Sequence, residues 1–195
     1  MAIASAALLL FLVMDPLGNI PVYLSALKSV NPARQRRIVT RELLIAYAIL
    51  VLFLFAGPYI LKLLRISDPA LGIAGGIVLF LISLRMIFPG AEGLDEHLKG
   101  EPFIVPLAVP YVAGPSAMAT VMLLMSREPS RWAEWWVALT AAWLACAGIL
   151  VLGSRLSRVI GPRGLIAMER LMGLVLVAVA VQMFLEGLMP QLAGP

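Results

Sequence analysis

Residues 14–21 read Met14-Asp15-Pro16-Leu17-Gly18-Asn19-Ile20-Pro21, and they interrupt an N-terminal run that is otherwise almost wholly apolar from Ala2 to Leu27. A charge, two prolines and a glycine thus stand where a membrane helix should be most uniformly greasy. Proline inside a helix removes a hydrogen bond and clashes with the preceding turn, so two of them five residues apart open the helix rather than bend it. Opened backbone at membrane depth survives only where protein covers it or where it lines a wet cavity. An ionisable side chain beside it marks a functional site by default.

A membrane setting follows from composition. The chain has 195 residues, of which 62% are hydrophobic and 13% charged, and its mean hydropathy is +0.98. Soluble domains are roughly 45–50% apolar and about 25% charged. Cys146 is the single cysteine and His97 the single histidine, which excludes an internal disulfide and a His-rich metal cluster. The net charge of +4 invites a nucleic-acid reading, but the basic residues lie between apolar runs, as orienting charges do, so no nucleic acid is expected as a partner. No Lys or Arg precedes Lys28, and the N-terminus is therefore expected to be a retained first span rather than a cleaved signal.

Six apolar runs reach bilayer-crossing length: about Ala2–Leu27, Leu43–Leu64, Ala70–Phe88, Phe103–Met125, Trp135–Leu152 and Ile166–Met189. The expected fold class is an all-α membrane protein of six transmembrane helices. With the N-terminus outside, the inner connections hold eleven of the fifteen Lys and Arg residues: Lys28, Arg34, Arg36, Arg37, Arg41, Arg85, Lys99, Arg155, Arg158, Arg163 and Arg170. That excess predicts extracytoplasmic N- and C-termini. Trp132, Trp135 and Trp136 then fall at an outer water boundary.

The fourth run repeats the anomaly of the first. It reads V-P-L-A-V-P-Y-V-A-G-P-S-A-M-A-T, with Pro106, Pro110, Gly114, Pro115, Ser116 and Thr120 in an apolar setting, and Pro115 lies 99 residues after Pro16. The third and sixth runs match at nearly the same offset, A-G-G-I-V-L-F around Gly75 against L-M-G-L-V-L-V around Gly173. The chain is therefore expected to hold two three-helix repeats, about 1–88 and 103–190, joined by a cytoplasmic loop at about 89–102. Because three is odd, the halves enter the membrane from opposite sides, and helices 1 and 4, broken at mid-membrane, point to a transport site.

Pro16 and Pro115 can each begin a half-helix, about Leu17–Ser29 and Ser116–Met125, because proline suits a first turn. Each start presents unpaired N–H groups and partial positive charge, a ready anion site. Gly18 and Gly114 let a ligand approach the backbone, while Asn19, Ser116 and Thr120 offer neutral hydrogen bonds. Asp15 is the only carboxylate in the middle of the first four runs. Two readings of it stand: it faces the ammonium of a zwitterion such as an amino acid, or it caps the half-helix through the donors near Leu17 and Gly18. There is no nucleophile and base pair and no cofactor motif, so no enzyme activity, cofactor or metal is expected.

The motifs D-P-L-G-N-I-P (Asp15–Pro21), I-S-D-P-A-L-G-I-A-G-G-I-V-L-F (Ile66–Phe80), P-L-A-V-P-Y-V-A-G-P-S-A (Pro106–Ala117) and L-M-G-L-V-L-V-A-V-A-V-Q (Leu171–Gln182) resemble the MarC family of bacterial and archaeal inner-membrane proteins over nearly the whole chain. The resemblance implies six helices, kinship with LysE-type exporters, and proton-dependent transport of small neutral amino acids such as glycine and alanine. It carries a substrate-site expectation onto Asp15, Pro16, Gly18, Asn19 and Pro21, and onto Gly114, Pro115 and Thr120. Two departures stand out. The family usually has A-G-P-G where this chain has Ser116, which adds bulk and a hydroxyl. It also often has a basic or aromatic-basic pair where this chain has Leu71 and Gly72.

Colder readings apply elsewhere. Arg85 could draw a carboxylate but more simply snorkels to the interface. Gln182, near the repeat partner of Arg85, reads as an interhelical hydrogen bond. Glu42 and Glu186 read as solvated at helix ends. Membrane lipids are expected partners, and the chain is open to homo-oligomer formation. The rival function is a flippase or transporter of a lipid-linked or anionic solute, since paired positive helix ends would also hold a phosphate.

Overall fold

The computed structural model describes residues 1–27, 30–88 and 112–192, with backbone alone at 32–33 and 190–192. Among them every regular element is a helix: α1 (Ile3–Met14), α2 (Asn19–Ala26), α3 (Pro32–Leu64), α4 (Asp68–Ile87), α5 (Pro115–Arg127), α6 (Trp132–Val151) and α7 (Gly153–Leu192). A 3-10 turn at Pro129–Arg131 leads into α6. The segments Arg34–Leu64, Asp68–Ile87, Pro129–Val151 and Gly153–Met189 are long and apolar enough to cross a bilayer, and α1 with α2, bent by 45°, forms a fifth. The fourth run is described only from Val112 onward. Its expected opening at Pro106 and Pro110, the loop at 89–102, Lys28 and the end of the first half-helix at Ser29 lie outside the described residues.

Two helices begin earlier than their apolar runs. α3 starts at Pro32 rather than Leu43, because proline fits the first turn and the Arg and Gln residues that follow are good helix formers despite their charge. α7 starts at Gly153 rather than Ile166 but is two arms, 153–160 and 162–192, joined at Gly161 with φ 73° and ψ 167°. That conformation is open only to glycine, and Pro162 follows it.

The helix ends sort into two faces. On one, the start of α3 meets the α6–α7 junction, so that Arg36 and Arg155 share a cavity wall. On the other, Ser126 Oγ donates to Asp68 Oδ1 at 2.7 Å, Arg127 reaches Glu186 at 3.5 Å, and the N-terminal ammonium lies 3.7 Å from Glu128. Arg131 donates to Glu128 at 2.8 Å and also pairs with Glu134, which holds the Glu128 carboxyl below its ordinary range. Trp135 departs from the expected water boundary: it is buried, its Nε1 donates to the Glu128 carbonyl at 3.0 Å, and Arg131 lies over its ring. Trp132 and Trp136 on the same turns are exposed.

The most extensive packing joins α4 to α7. Contacts at Pro69, Gly76 and Ile87 fall against Gly187, Ala180 and Gly173 respectively, so the two helices run antiparallel. A Cβ at Gly76 would meet the Ala180 carbonyl oxygen at 2.8 Å and the Phe184 nitrogen at 2.9 Å, and one at Gly187 would meet the Pro69 carbonyl oxygen at 2.7 Å. Small residues thus bring backbone against backbone, which is how helices associate where lipid removes the hydrophobic drive. Around this seam α1 packs on α6 and α3 on α5. Leu10, Met14, Leu50, Leu54, Leu139 and Leu176 fill the interior, whereas Leu63, Tyr59, Leu52, Leu144 and Leu171 face outward, as a lipid-facing surface requires. α3 and α6 are pinned by the Trp143 Nε1 bond to the Leu43 carbonyl and the Tyr47–Thr140 hydroxyl pair, each 2.8 Å.

The seam predicts a contrast between two glycine substitutions, read as thermal unfolding of the purified protein in detergent. Gly76→Ala should destabilise by about 1–3 kcal/mol through overpacking. Gly148→Ala on α6, where a Cβ meets nothing within 4 Å, should be neutral or stabilising by about 0.5–1 kcal/mol.

Candidate functional site

The break in the first span is built by its own residues. Asp15 closes α1 in the left-handed region, φ 43° and ψ 63°, which Asp tolerates better than most residues. Its N–H donates to the carbonyls of Leu12 (3.0 Å) and Phe11 (3.2 Å), and its carbonyl accepts from Asn19 N–H at 3.1 Å. Pro16, Leu17 and Gly18 form the turn between. Gly18 N–H donates to Asp15 Oδ1 at 3.1 Å, so the capping reading of Asp15 describes what its side chain does. Asn19 Nδ2 donates to the Met14 carbonyl at 3.0 Å, occupying an acceptor that the break would otherwise orphan. The half-helix begins at Asn19 instead of Leu17, because Pro16 to Gly18 are spent on the turn.

Asp15, Pro16, Gly18 and Asn19 are buried and Pro21 is half-buried. A Cβ on Gly18 would collide with the Asp15 carboxylate and with Met86 Cε, so α4 closes over the turn and a side chain at position 18 would have to displace both groups. Cys146 on α6 and Glu169 on α7 lie within electrostatic reach of the Asp15 carboxyl. The first break is therefore enclosed by three other helices.

The corresponding start in the fourth run is simpler. Gly114, extended at φ −66° and ψ 166°, precedes Pro115 at the head of α5, and no side chain caps this end. Met118 N–H donates to the Gly114 carbonyl at 2.9 Å. Gly114, Ser116 and Thr120 are buried and Pro115 is exposed. The Thr120 hydroxyl donates to the Ser116 carbonyl at 2.8 Å, a bond within its own helix. α1 packs against α5, and the residues flanking both breaks, Val13, Met14 and Ile20 with Val112, Ala113 and Ala117, belong to one buried cluster.

A cavity of about 270 Å³ opens beside α2 rather than between the two breaks. Ile20, Tyr23, Leu24 and Leu27 form one wall, at the spacing of a single helix face, and Val39 and Leu150 face them. Gln35, Arg36 and Arg155 form its polar wall, and Gln35 Nε2 also donates to the Leu27 and Val30 carbonyls at 3.0 Å, closing the end of α2.

Arg85 and Gln182 are exposed, and neither lines the cavity beside α2. Gln182 bonds within its own helix, donating to Glu186 Oε1 at 2.9 Å, instead of across helices. Glu42 departs furthest from expectation. It is 2% exposed, because α3 extends ten residues beyond it and α2 covers that face. Nothing in the apolar run signalled this; the signal lay in the helical register, which sets Glu42 one turn from Val39.

The sequence matches the model of the MarC family integral membrane proteins over residues 1–192. It is 49% identical over 194 residues to the Escherichia coli K12 protein named UPF0056 inner membrane protein YhgN, covering 98% of each chain. It is 45% identical over 190 residues to a UPF0056 membrane protein of Buchnera aphidicola, covering 95% and 96%, and 33% identical over 184 residues to one of Chlamydia pneumoniae, covering 93% and 91%. No solved structure matches.

The capping geometry separates fold from charge at Asp15. Asp15→Asn keeps an acceptor for Gly18 and tolerates the left-handed backbone, so thermal stability in detergent should change little. Asp15→Ala loses both and should destabilise by about 1–2 kcal/mol.

Proposed function

The chain belongs to the MarC family of integral membrane proteins, and on that premise we propose that it is a secondary transporter, an exporter or exchanger of small neutral amino acids such as glycine and alanine, working by alternating access. The observation that carries this is the enclosed break in the first span. Buried there are an acid, an amide and a glycine whose Cβ position is filled by Asp15 and Met86, around backbone that a continuous helix would have sealed. Irregular backbone of this kind at membrane depth is the mark of a solute site. In the proposed complex the substrate carboxylate takes the uncapped half-helix start at Pro115–Ser116, and Asp15, whose side chain already holds Gly18 N–H, faces the ammonium. Proton coupling is part of the proposal.

We further read the chain as six spans in two inverted repeats, set in the inner membrane with both termini outside. Exchanging the halves carries span 1 onto 4, 2 onto 5 and 3 onto 6. Taken span by span, the packing of the first span on α6 corresponds to that of the fourth on α3, and the packing of the fourth on α4 to that of the first on α7, while the α4–α7, α3–α6 and first–fourth contacts map onto themselves. An antiparallel α4–α7 pair is what an axis in the membrane plane requires. The convergence of Arg36 with Arg155 on one face agrees with the charge-based orientation, and the name of the Escherichia coli relative with the inner membrane.

One observation favours a second reading. No acidic residue lines the cavity beside α2, while Arg36 and Arg155 both do, which would suit an anionic or lipid-linked solute.

Uptake and counterflow of labelled glycine and alanine in proteoliposomes, with and without a pH gradient, test the proposal. Wild type should move both, and Asp15→Asn should reduce transport about a hundredfold or more while the protein stays folded. Ser116→Gly should change the alanine-to-glycine preference more than it changes yield. Movement of neither amino acid, together with stabilisation against heat by a lipid phosphate, would transfer the assignment to the anionic solute.

A further inference from the structure

Glu42 carries the strongest anomaly in the molecule outside the break. Its Oε1 accepts from Arg41 Nε at 3.1 Å and Nη2 at 2.8 Å, and Arg41 is half exposed. Its Oε2 is buried and has no hydrogen-bond donor among the described residues. Native structures rarely leave a buried acceptor unpaired, least of all on a charged group, and those that do hold a place for something that arrives. Glu42 also adjoins the cavity: Val39, one turn earlier on α3, lines it, and so does Tyr23 on α2, which lies within electrostatic reach of Glu42.

The chemistry narrows what arrives. A metal cation needs several further oxygen ligands, and no cluster of three or more acidic, Cys or His groups exists among the described residues. A substrate ammonium brings three donors to a single free oxygen. A proton needs that one oxygen and nothing else.

We propose that Glu42 is a proton-binding site, reached from the cavity past Tyr23 and separate from Asp15, and that it loads the coupling proton of the transport cycle. The first part stands without the transporter reading; the second rests on it. The step is a proton transfer alone: a hydronium ion entering through the cavity gives up H⁺ and becomes water, an O–H bond forms at Oε2, and the carboxylate loses its charge. Arg41 is then released from its pair and can turn to solvent. The groups around the site are Arg41 on α3, Tyr23 on α2, Cys146 on α6 beyond Tyr23, and Arg36 and Arg155 on the cavity wall.

Two measurements on the full-length protein test this. In infrared difference spectra between acid and alkaline pH, where the exposed carboxyls contribute alike to every variant, wild type should hold one further protonated-carboxyl band that Asp15→Asn keeps and Glu42→Gln loses. In proteoliposomes Glu42→Gln should keep alanine counterflow within about twofold and lose about tenfold or more of the accumulation driven by a pH gradient, with Glu42→Asp restoring both signatures. A wild-type band that persists in Glu42→Gln overturns the proposal, and so does loss of counterflow together with accumulation, which would make Glu42 a substrate or folding group. Should Glu42→Gln fail to fold, Glu42→Asp must shift the band, and an unshifted band is equally fatal. If wild type carries neither amino acid, the spectra alone decide the proton site, and only the transport assignment falls.

Discussion

Every part of this molecule answers to one constraint, that a peptide group inside a bilayer has no water to bond. The first span violates helical continuity at Asp15 and then repairs the damage within six residues. The Asp15 side chain takes Gly18 N–H, and the Asn19 side chain gives its N–H to the Met14 carbonyl. Capping and function are therefore not alternatives at Asp15. A group that holds the turn open through one carboxylate oxygen is also the group that the turn keeps inside the protein.

The same constraint explains which parts of the fold were legible in the sequence. Prolines and a glycine within a greasy run announce a break because nothing else tolerates them there, and the break is found between Met14 and Asn19. Apolar runs marked the spans but not the helices, since Arg34 to Arg41 and the arm at 153–160 are helical without being apolar. Hydropathy reports where lipid is; helix continuity reports where hydrogen bonds are made. Trp135 and Glu42 show the other limit. Both sit at the ends of apolar runs, where a linear reading assigns water, and both are buried.

Site residues were legible to different depths. The backbone-controlling residues, Pro16, Gly18, Asn19, Gly114 and Pro115, could be read because their effect is local. Side chains whose partners come from another turn could not. Thr120 is engaged by the Ser116 carbonyl, and Gln182 by Glu186 on its own helix, so a hydroxyl or amide facing a polar region on paper is already occupied. Glu42 is the converse case, a residue dismissed as solvated whose register, not its neighbourhood in sequence, makes it singular.

The glycine seam between α4 and α7 has a mechanical consequence. Where Gly76 lies against the Ala180 carbonyl and Gly187 against that of Pro69, backbone meets backbone with little side chain between to swap rotamers and accommodate a change of register. Such a contact resists sliding yet can roll, since peptide groups in van der Waals contact present a nearly cylindrical surface. If one half of the protein turns against the other, this line is its fulcrum, and displacement grows with distance from it.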